Sequence, residues 1–113
     1  MRFILAAAIF AASGLAAQAE CTQVQFPSGA YSTTVADTAW HATSNCFVLD
    51  VQAGQTARIW VMDSDDVVFD VPGLGDGYRD VTFSLGSNYL DVYTMRESNV
   101  EGGVPYRIAF DIR

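Results

Sequence analysis

From Phe47 to the C-terminus, apolar and polar side chains alternate almost without a break, and this period of two constrains the fold more than any other feature. Phe47, Leu49 and Val51 alternate with Val48 and Asp50. Ala57, Ile59 and Val61 alternate with Arg58, Trp60 and Met62. Val67, Phe69 and Val71 follow the same rule, as do Val81, Phe83 and Leu85. Leu90 and Val92 alternate with Asp91 and Tyr93, and Tyr106, Ile108, Phe110 and Ile112 with Arg107, Ala109 and Asp111. Successive side chains of an extended chain leave opposite faces, so each run offers one face to a core and one to water. β-Branched and aromatic residues dominate these runs, as strands prefer. Turn residues separate them: Pro27-Ser28-Gly29, Ala53-Gly54-Gln55, Asp63 to Asp66, Pro72 to Gly77, Gly86-Ser87-Asn88 and Glu101-Gly102-Gly103. Two earlier runs, Gln23 to Phe26 and Tyr31 to Ala36, complete the set. No segment carries helical periodicity. The pattern predicts an all-β fold, an antiparallel β-sandwich or jelly roll of about eight short strands.

The first residues read differently. Met1-Arg2 is a short positive start, Phe3 to Ala12 is apolar, and Ala17-Gln18-Ala19 is the small-x-small pattern of a signal peptidase site. Residues 1–19 are therefore expected to be a signal peptide, and residues 20–113 a single β-sandwich domain. The whole apolar stretch before Gln18 is barely long enough to span a bilayer, which takes roughly 20 residues. Glu20 before Cys21 does not suit a lipidation site. Export without an anchor after cleavage predicts a periplasmic or secreted protein. It also places Cys21 and Cys46, the two cysteines of the chain, in an oxidising compartment, where one pairing is available to them. That disulfide would close a loop of about 26 residues, worth about 3.5 kcal/mol in the chain-entropy model.

After removal of residues 1–19 the chain holds no lysine and five arginines against thirteen acids, a balance of −8. A binder of nucleic acid by phosphate neutralisation needs a basic face, and this chain has none. His41 is the one candidate base for a hydrolase nucleophile, and no serine sits in a strand-turn-helix elbow. The reading is of a non-enzyme with no cofactor. Asp63, Asp65, Asp66 and Asp70 offer oxygen ligands of the kind calcium takes, but without the glycine and distal glutamate of a calcium loop; a charged hairpin loop is the competing reading, and no metal site is expected. Arg96 ends one strand and opens a polar loop before the last one, where binding residues tend to sit. Trp40, Trp60, Tyr89 and Tyr93 fall on the solvent side or at turns. Clustered, they would form a patch suited to a partner; otherwise Trp60 would pack as a second layer.

Several stretches together resemble the bacterial pre-peptidase C-terminal-like β-sandwich. They are Val24-x-Phe26-x-x-Gly29, Phe47-Val48-Leu49-Asp50-Val51-Gln52-Ala53-Gly54-Gln55, Gly86-x-x-Tyr89-Leu90-Asp91-Val92-Tyr93-x-Met95-Arg96 and Tyr106-Arg107-Ile108-Ala109-Phe110. Within that group the chain is most similar to the periplasmic inhibitors of goose-type lysozyme, over Val24 to Ile112. The resemblance implies a non-catalytic protein whose loop enters the lysozyme's substrate cleft. In those inhibitors the loop before the last strand carries arginines spaced R-x-x-x-R, and an aromatic from an early loop joins them. Arg96 stands at the first arginine and Val100 at the second. The early aromatic falls near Ala42, beside Trp40 and His41. The expected partner-binding residues are thus Arg96, Glu97, Ser98, Asn99, Val100, Trp40 and His41. The expected partner is a protein, goose-type lysozyme on this reading; the alternative is an envelope module for a cell-wall fragment or another envelope protein.

Overall fold

The structure, a computed structural model, describes residues 20–113. The expected signal peptide lies outside the described residues. Nine strands form two facing sheets: β1 (Thr22–Gln23), β2 (Ser32–Trp40), β3 (Asn45–Asp50), β4 (Thr56–Met62), β5 (Val67–Val71), β6 (Gly75–Tyr78), β7 (Asp80–Ser84), β8 (Tyr89–Arg96) and β9 (Gly103–Ile112). One sheet runs β1-β3-β8-β5-β6 and the other β2-β9-β4-β7. Neighbours are antiparallel, as expected of a sandwich, except that β1 lies parallel to β3. Cys21 and Cys46 are bonded, which ties the chain ahead of β1 to the start of β3.

The core follows from the alternation. Phe47 and Leu49 of β3, Ile59 of β4, Val67 and Phe69 of β5, Val92 of β8 and Ile108 and Phe110 of β9 are fully buried between the sheets. Phe47 and Phe110 meet across the layers with ring centroids 6.2 Å apart. Central β9 is paired along its length with β2, from Ser32 opposite Asp111 to Trp40 opposite Gly103, and with β4 on its other side. Its outward Ala109 is buried too. It lies between Thr34 and Trp60 in the ladder, and Trp60 in turn carries the Arg58 guanidinium 4.2 Å above its ring. Trp60 therefore packs as an outer layer.

The sequence reading of about eight strands misses β6, which falls in the Gly-rich run read as a loop. Local propensity there is poor for a strand, but tertiary pairing overrides it. Tyr78 lies opposite Phe69 on β5, the rings 5.9 Å apart. Gly75 is required by the same packing, since a Cβ there would lie 2.3 Å from the Tyr78 hydroxyl. At the far end, the Ala53-Gly54-Gln55 turn is held by Gln52 N–H to Gln55 Oε1 (2.8 Å) and Ala53 N–H to Asn88 Oδ1 (2.9 Å).

Candidate functional site

Three connections between the sheets, β2 to β3, β4 to β5 and β8 to β9, turn at the same end of the sandwich. The registers require it: Trp40 pairs with Gly103, Asn45 with Thr94, Val67 with Arg96 and Met62 with Arg107. Residues 41–44, 63–66 and 97–102 therefore converge although they are far apart in sequence. All seven expected partner-binding residues lie at this end.

Beneath the loops a buried polar clamp joins the layers. Thr94 of β8 is fully buried, and its hydroxyl lies 2.5 Å from the Tyr106 hydroxyl of β9. Asn45 of β3 donates from Nδ2 to the same Tyr106 oxygen at 3.0 Å and to the Thr38 carbonyl of β2 at 2.9 Å. Four strands from both sheets share this network. Burial pushes the Tyr106 phenol pKa up, and the bonds to Thr94 and Asn45 only partly oppose that.

The late loop is built around Asp66 and Arg96. The Arg96 side chain is only 8% exposed. Its Nε donates to Asp66 Oδ2 at 2.8 Å, and its Nη1 to the carbonyls of Val100 and Gly102 at 2.8 and 3.1 Å. Asp66 Oδ1 accepts from the Ser98 N–H at 2.9 Å, and Oδ2 from the Ser98 hydroxyl at 2.8 Å. The Glu97 N–H donates to the Asp66 carbonyl at 2.8 Å, and the Glu97 carboxylate pairs with Arg79 between β6 and β7. The Ser98 hydroxyl, followed by the Arg96 guanidinium, holds the Asp66 carboxyl below its ordinary value of 3.8. Arg96 thus spends its donors inside the loop. A guanidinium has five N–H donors in a fixed fork, which suits it to gather several carbonyls and one carboxylate at once.

What the loop presents outward is different. Val100 is 62% exposed, and Asn99 and Glu101 are exposed beside it. Across the gap, Trp40 is 54% exposed and lies over the backbone where β9 begins: a Cβ at Gly103 would be 3.0 Å from the Trp40 ring. His41 is half-buried after it, and Ala42 is held at φ 64°. That left-handed backbone is costly for a residue with a Cβ and here closes the turn that carries Trp40 and His41. Asp63, also at positive φ (72°), pairs with Arg107 at 2.5 Å. The Asp70 carboxylate accepts from the Gly77 N–H at 2.9 Å. Three of the four acids weighed as oxygen ligands for calcium, Asp63, Asp66 and Asp70, thus turn to separate partners. No cluster of three metal-ligating side chains forms among the described residues.

The four aromatics do not make one patch. Trp40 belongs to the loop end, Trp60 to the outer face of the four-stranded sheet, and Tyr89 and Tyr93 to the outward side of β8. Asp66 and Thr94 have no local sequence signal. Asp66 is 30 residues from Arg96, and Thr94 takes part only once Tyr106 faces it across the core.

The geometry defines a β-sandwich with three loops gathered at one end around a held arginine. No protein-family model matches this chain, and a search of curated proteins finds no match. Among solved structures, the fold is similar to PliG of Aeromonas hydrophila, a periplasmic inhibitor of g-type lysozyme, with a TM-score of 0.72 and 21% identity over 82% of this chain and 96% of that one. It is similar to a mutant of the Escherichia coli inhibitor of g-type lysozyme, with a TM-score of 0.63 and 14% identity over 81% of this chain and 96% of that one. It is also similar to PliG of Salmonella Typhimurium, with a TM-score of 0.62 and 13% identity over 83% of this chain and 98% of that one. At these identities the likeness establishes the fold.

Proposed function

We propose that this chain is an exported, non-catalytic inhibitor of goose-type lysozyme that works by placing its β8–β9 loop in the enzyme's substrate cleft. The observation that carries this reading is a fold shared with PliG across nearly the whole inhibitor, with Trp40, His41 and the tip of the late loop brought to one end. The mechanism is steric and involves no chemistry of its own. Asn99, Val100 and Glu101 form the inserted tip, and Trp40 with His41 forms the flank. Tryptophan is among the residues enriched in interface hot spots once a partner covers it. Arg96 contributes by position: it holds the tip in shape before binding, so that less ordering is left to be done in the complex. The periplasm is the compartment in which such an inhibitor would act.

A second reading keeps the fold and changes the partner. Val100 replaces a second loop arginine and the Arg96 guanidinium is buried, so the tip offers no free cation to a cleft carboxylate. An envelope module of the pre-peptidase C-terminal-like kind, taking a cell-wall fragment or another envelope protein, would not need one.

A turbidity assay separates the two. The purified protein is titrated into goose-type, chicken-type and invertebrate-type lysozymes acting on peptidoglycan. Selective loss of goose-type activity is expected. Val100→Asp should weaken it about tenfold by placing an unpaired charge in the contact, with the melting temperature unchanged. No inhibition at micromolar excess would reject the inhibitor reading and leave the second.

A further inference from the structure

All five arginines of the described residues are committed to internal pairs: Arg58 with Asp80, Arg79 with Glu97, Arg96 with Asp66, Arg107 with Asp63 and Arg113 with Asp111. There is no lysine. Thirteen acids, five of them paired, leave eight without a cationic partner among the described residues. They are not spread evenly. Asp50, Asp70, Asp76 and Asp91 belong to β3, β5, β6 and β8, all in the five-stranded sheet.

On β8 the buried side is Leu90, Val92 and Thr94, so Tyr89, Asp91, Tyr93 and Met95 form the outward row. That row runs about 20 Å at the rise of an antiparallel strand. Asp70 lies opposite Tyr93 on β5, and Asp50 opposite Tyr89 on β3. The β5–β6 hairpin walls one side of a groove of about 650 Å³ that contains Tyr93, Met95, Asp70, Leu74 and Asp76. A smaller groove of about 330 Å³ shares the hairpin tip and reaches Asp91 and Tyr89. No basic side chain lines either groove.

This combination selects a sign. Aromatic faces carry negative quadrupole density and attract ammonium and guanidinium groups. Uncompensated carboxylates do the same and repel anions. The thioether of Met95 and the Tyr93 ring supply an apolar bed for an aliphatic stem whose charged head reaches the acids. The Tyr93 phenol is neutral at neutral pH and adds no charge, and burial, with the Asp91 carboxylate beside it, pushes its pKa further up.

We propose that this groove is a second binding surface, apart from the loop end, for an extended lysine- or arginine-bearing segment of a partner protein. One cationic head sits by Asp70 and Asp76 with its stem on Tyr93 and Met95, and the segment continues into the adjoining groove, where a second meets Asp91. The proposal does not depend on the inhibitor reading.

Hexalysine tests it. The purified protein, disulfide intact, is titrated with the peptide at about 0.15 M salt, where unspecific attraction between exposed charges is screened, and backbone amide shifts are followed by NMR. Hexaglutamate and chitohexaose are run beside it. The expected result is saturable shifts confined to residues 70–77 and 91–95, no response to hexaglutamate, and affinity about tenfold weaker in an Asp76→Asn, Asp91→Asn double variant. Asp65→Asn, at the loop end, should change nothing. The proposal is overturned by non-saturating shifts shared with Asp37, Asp65 and Glu101, by an unchanged double variant, or by chitohexaose occupying the groove that hexalysine leaves empty.

Discussion

Thr94 and Tyr106 show how much a single hydroxyl decides when it is buried. Each satisfies the other in a site closed to water, with Asn45 as a third member. Thr94→Val preserves shape but leaves the Tyr106 O–H without its acceptor, while the Tyr106 oxygen keeps the Asn45 bond, and should cost about 1–3 kcal/mol in urea unfolding. The double variant Thr94→Val, Tyr106→Phe should cost less than the sum of the singles, because neither partner is then stranded; strict additivity would mean the two hydroxyls do not act as a pair. Tyr106 also sets an alkaline limit. Its folded pKa is raised above the ordinary 10.0, so the unfolded chain releases the proton first. Stability from this group is complete below pH 10 and is lost as pH rises through the higher folded value, which Tyr106→Phe should abolish. Asp66 works in the opposite sense. Its folded pKa is depressed below 3.8, so its contribution is present above that value and is lost as pH falls through the folded one. The Ser98 amide shift should titrate with a midpoint below 3.8; a midpoint at or above it would show that the carboxylate does not hold the loop.

The β8–β9 loop owes its shape to contacts outside itself. Its six connecting residues, 97–102, are closed by Arg96 from one side and reached by Asp66 from the β4–β5 connection. Arg96→Lys keeps the charge but loses the fork, since a single ammonium cannot serve Asp66 and several carbonyls together. Exchange of the Glu97 and Ser98 amides should quicken by roughly tenfold, while global stability changes little. An unaltered exchange rate would mean that the turn holds itself. The β5–β6 hairpin makes the complementary case. Gly75→Ala forces the Tyr78 ring away from Phe69, and loss of that aromatic pair should cost about 1 kcal/mol. Gly75 and Gly77 look like loop residues in one dimension, and here the strand forms because β5 supplies a partner and Tyr78 a packing surface. The convergence of Trp40 with residues 97–102 is likewise absent from local periodicity, and in the sequence it is implied by the family resemblance alone. It follows from β2 pairing with β9, which joins residues more than sixty positions apart.

The whole molecule is a thin sandwich with one layer of large side chains between its sheets. Phe47 touches the opposite sheet through Phe110, so Phe47→Ala should cost about 3–5 kcal/mol, a large part of the stability of a domain this size. The disulfide acts mainly on the unfolded chain. Replacing Cys21 and Cys46 by alanine should lower stability by about 3.5 kcal/mol, with the sandwich retained in the absence of denaturant. A loss below about 1 kcal/mol would show that the reduced, unfolded chain already holds residues 21 and 46 close together. Electrostatics also belong to this scale. With every arginine of the described residues paired internally, the field around them is set by the remaining acids. Association with any cationic partner should therefore slow as salt is raised.

The sequence by itself determined the layers. Alternation assigns each side chain to one face or the other because a strand has only two, and that choice needs no knowledge of what the strand pairs with. It also determined the pairing of Cys21 with Cys46, since no other cysteine competes, and the absence of a basic face. The tertiary structure alone decided which strands are neighbours, and so which loops share an end. It decided that Arg96 turns inward to Asp66 rather than outward, because a donor fork settles on the acceptors nearest to it in space. It placed Tyr89, Asp91, Tyr93 and Met95 beside the Asp70 and Asp76 of a different hairpin. Local periodicity says which way a side chain points. What it meets there is set by contacts between residues dozens of positions apart, which only the folded chain brings within a few ångströms.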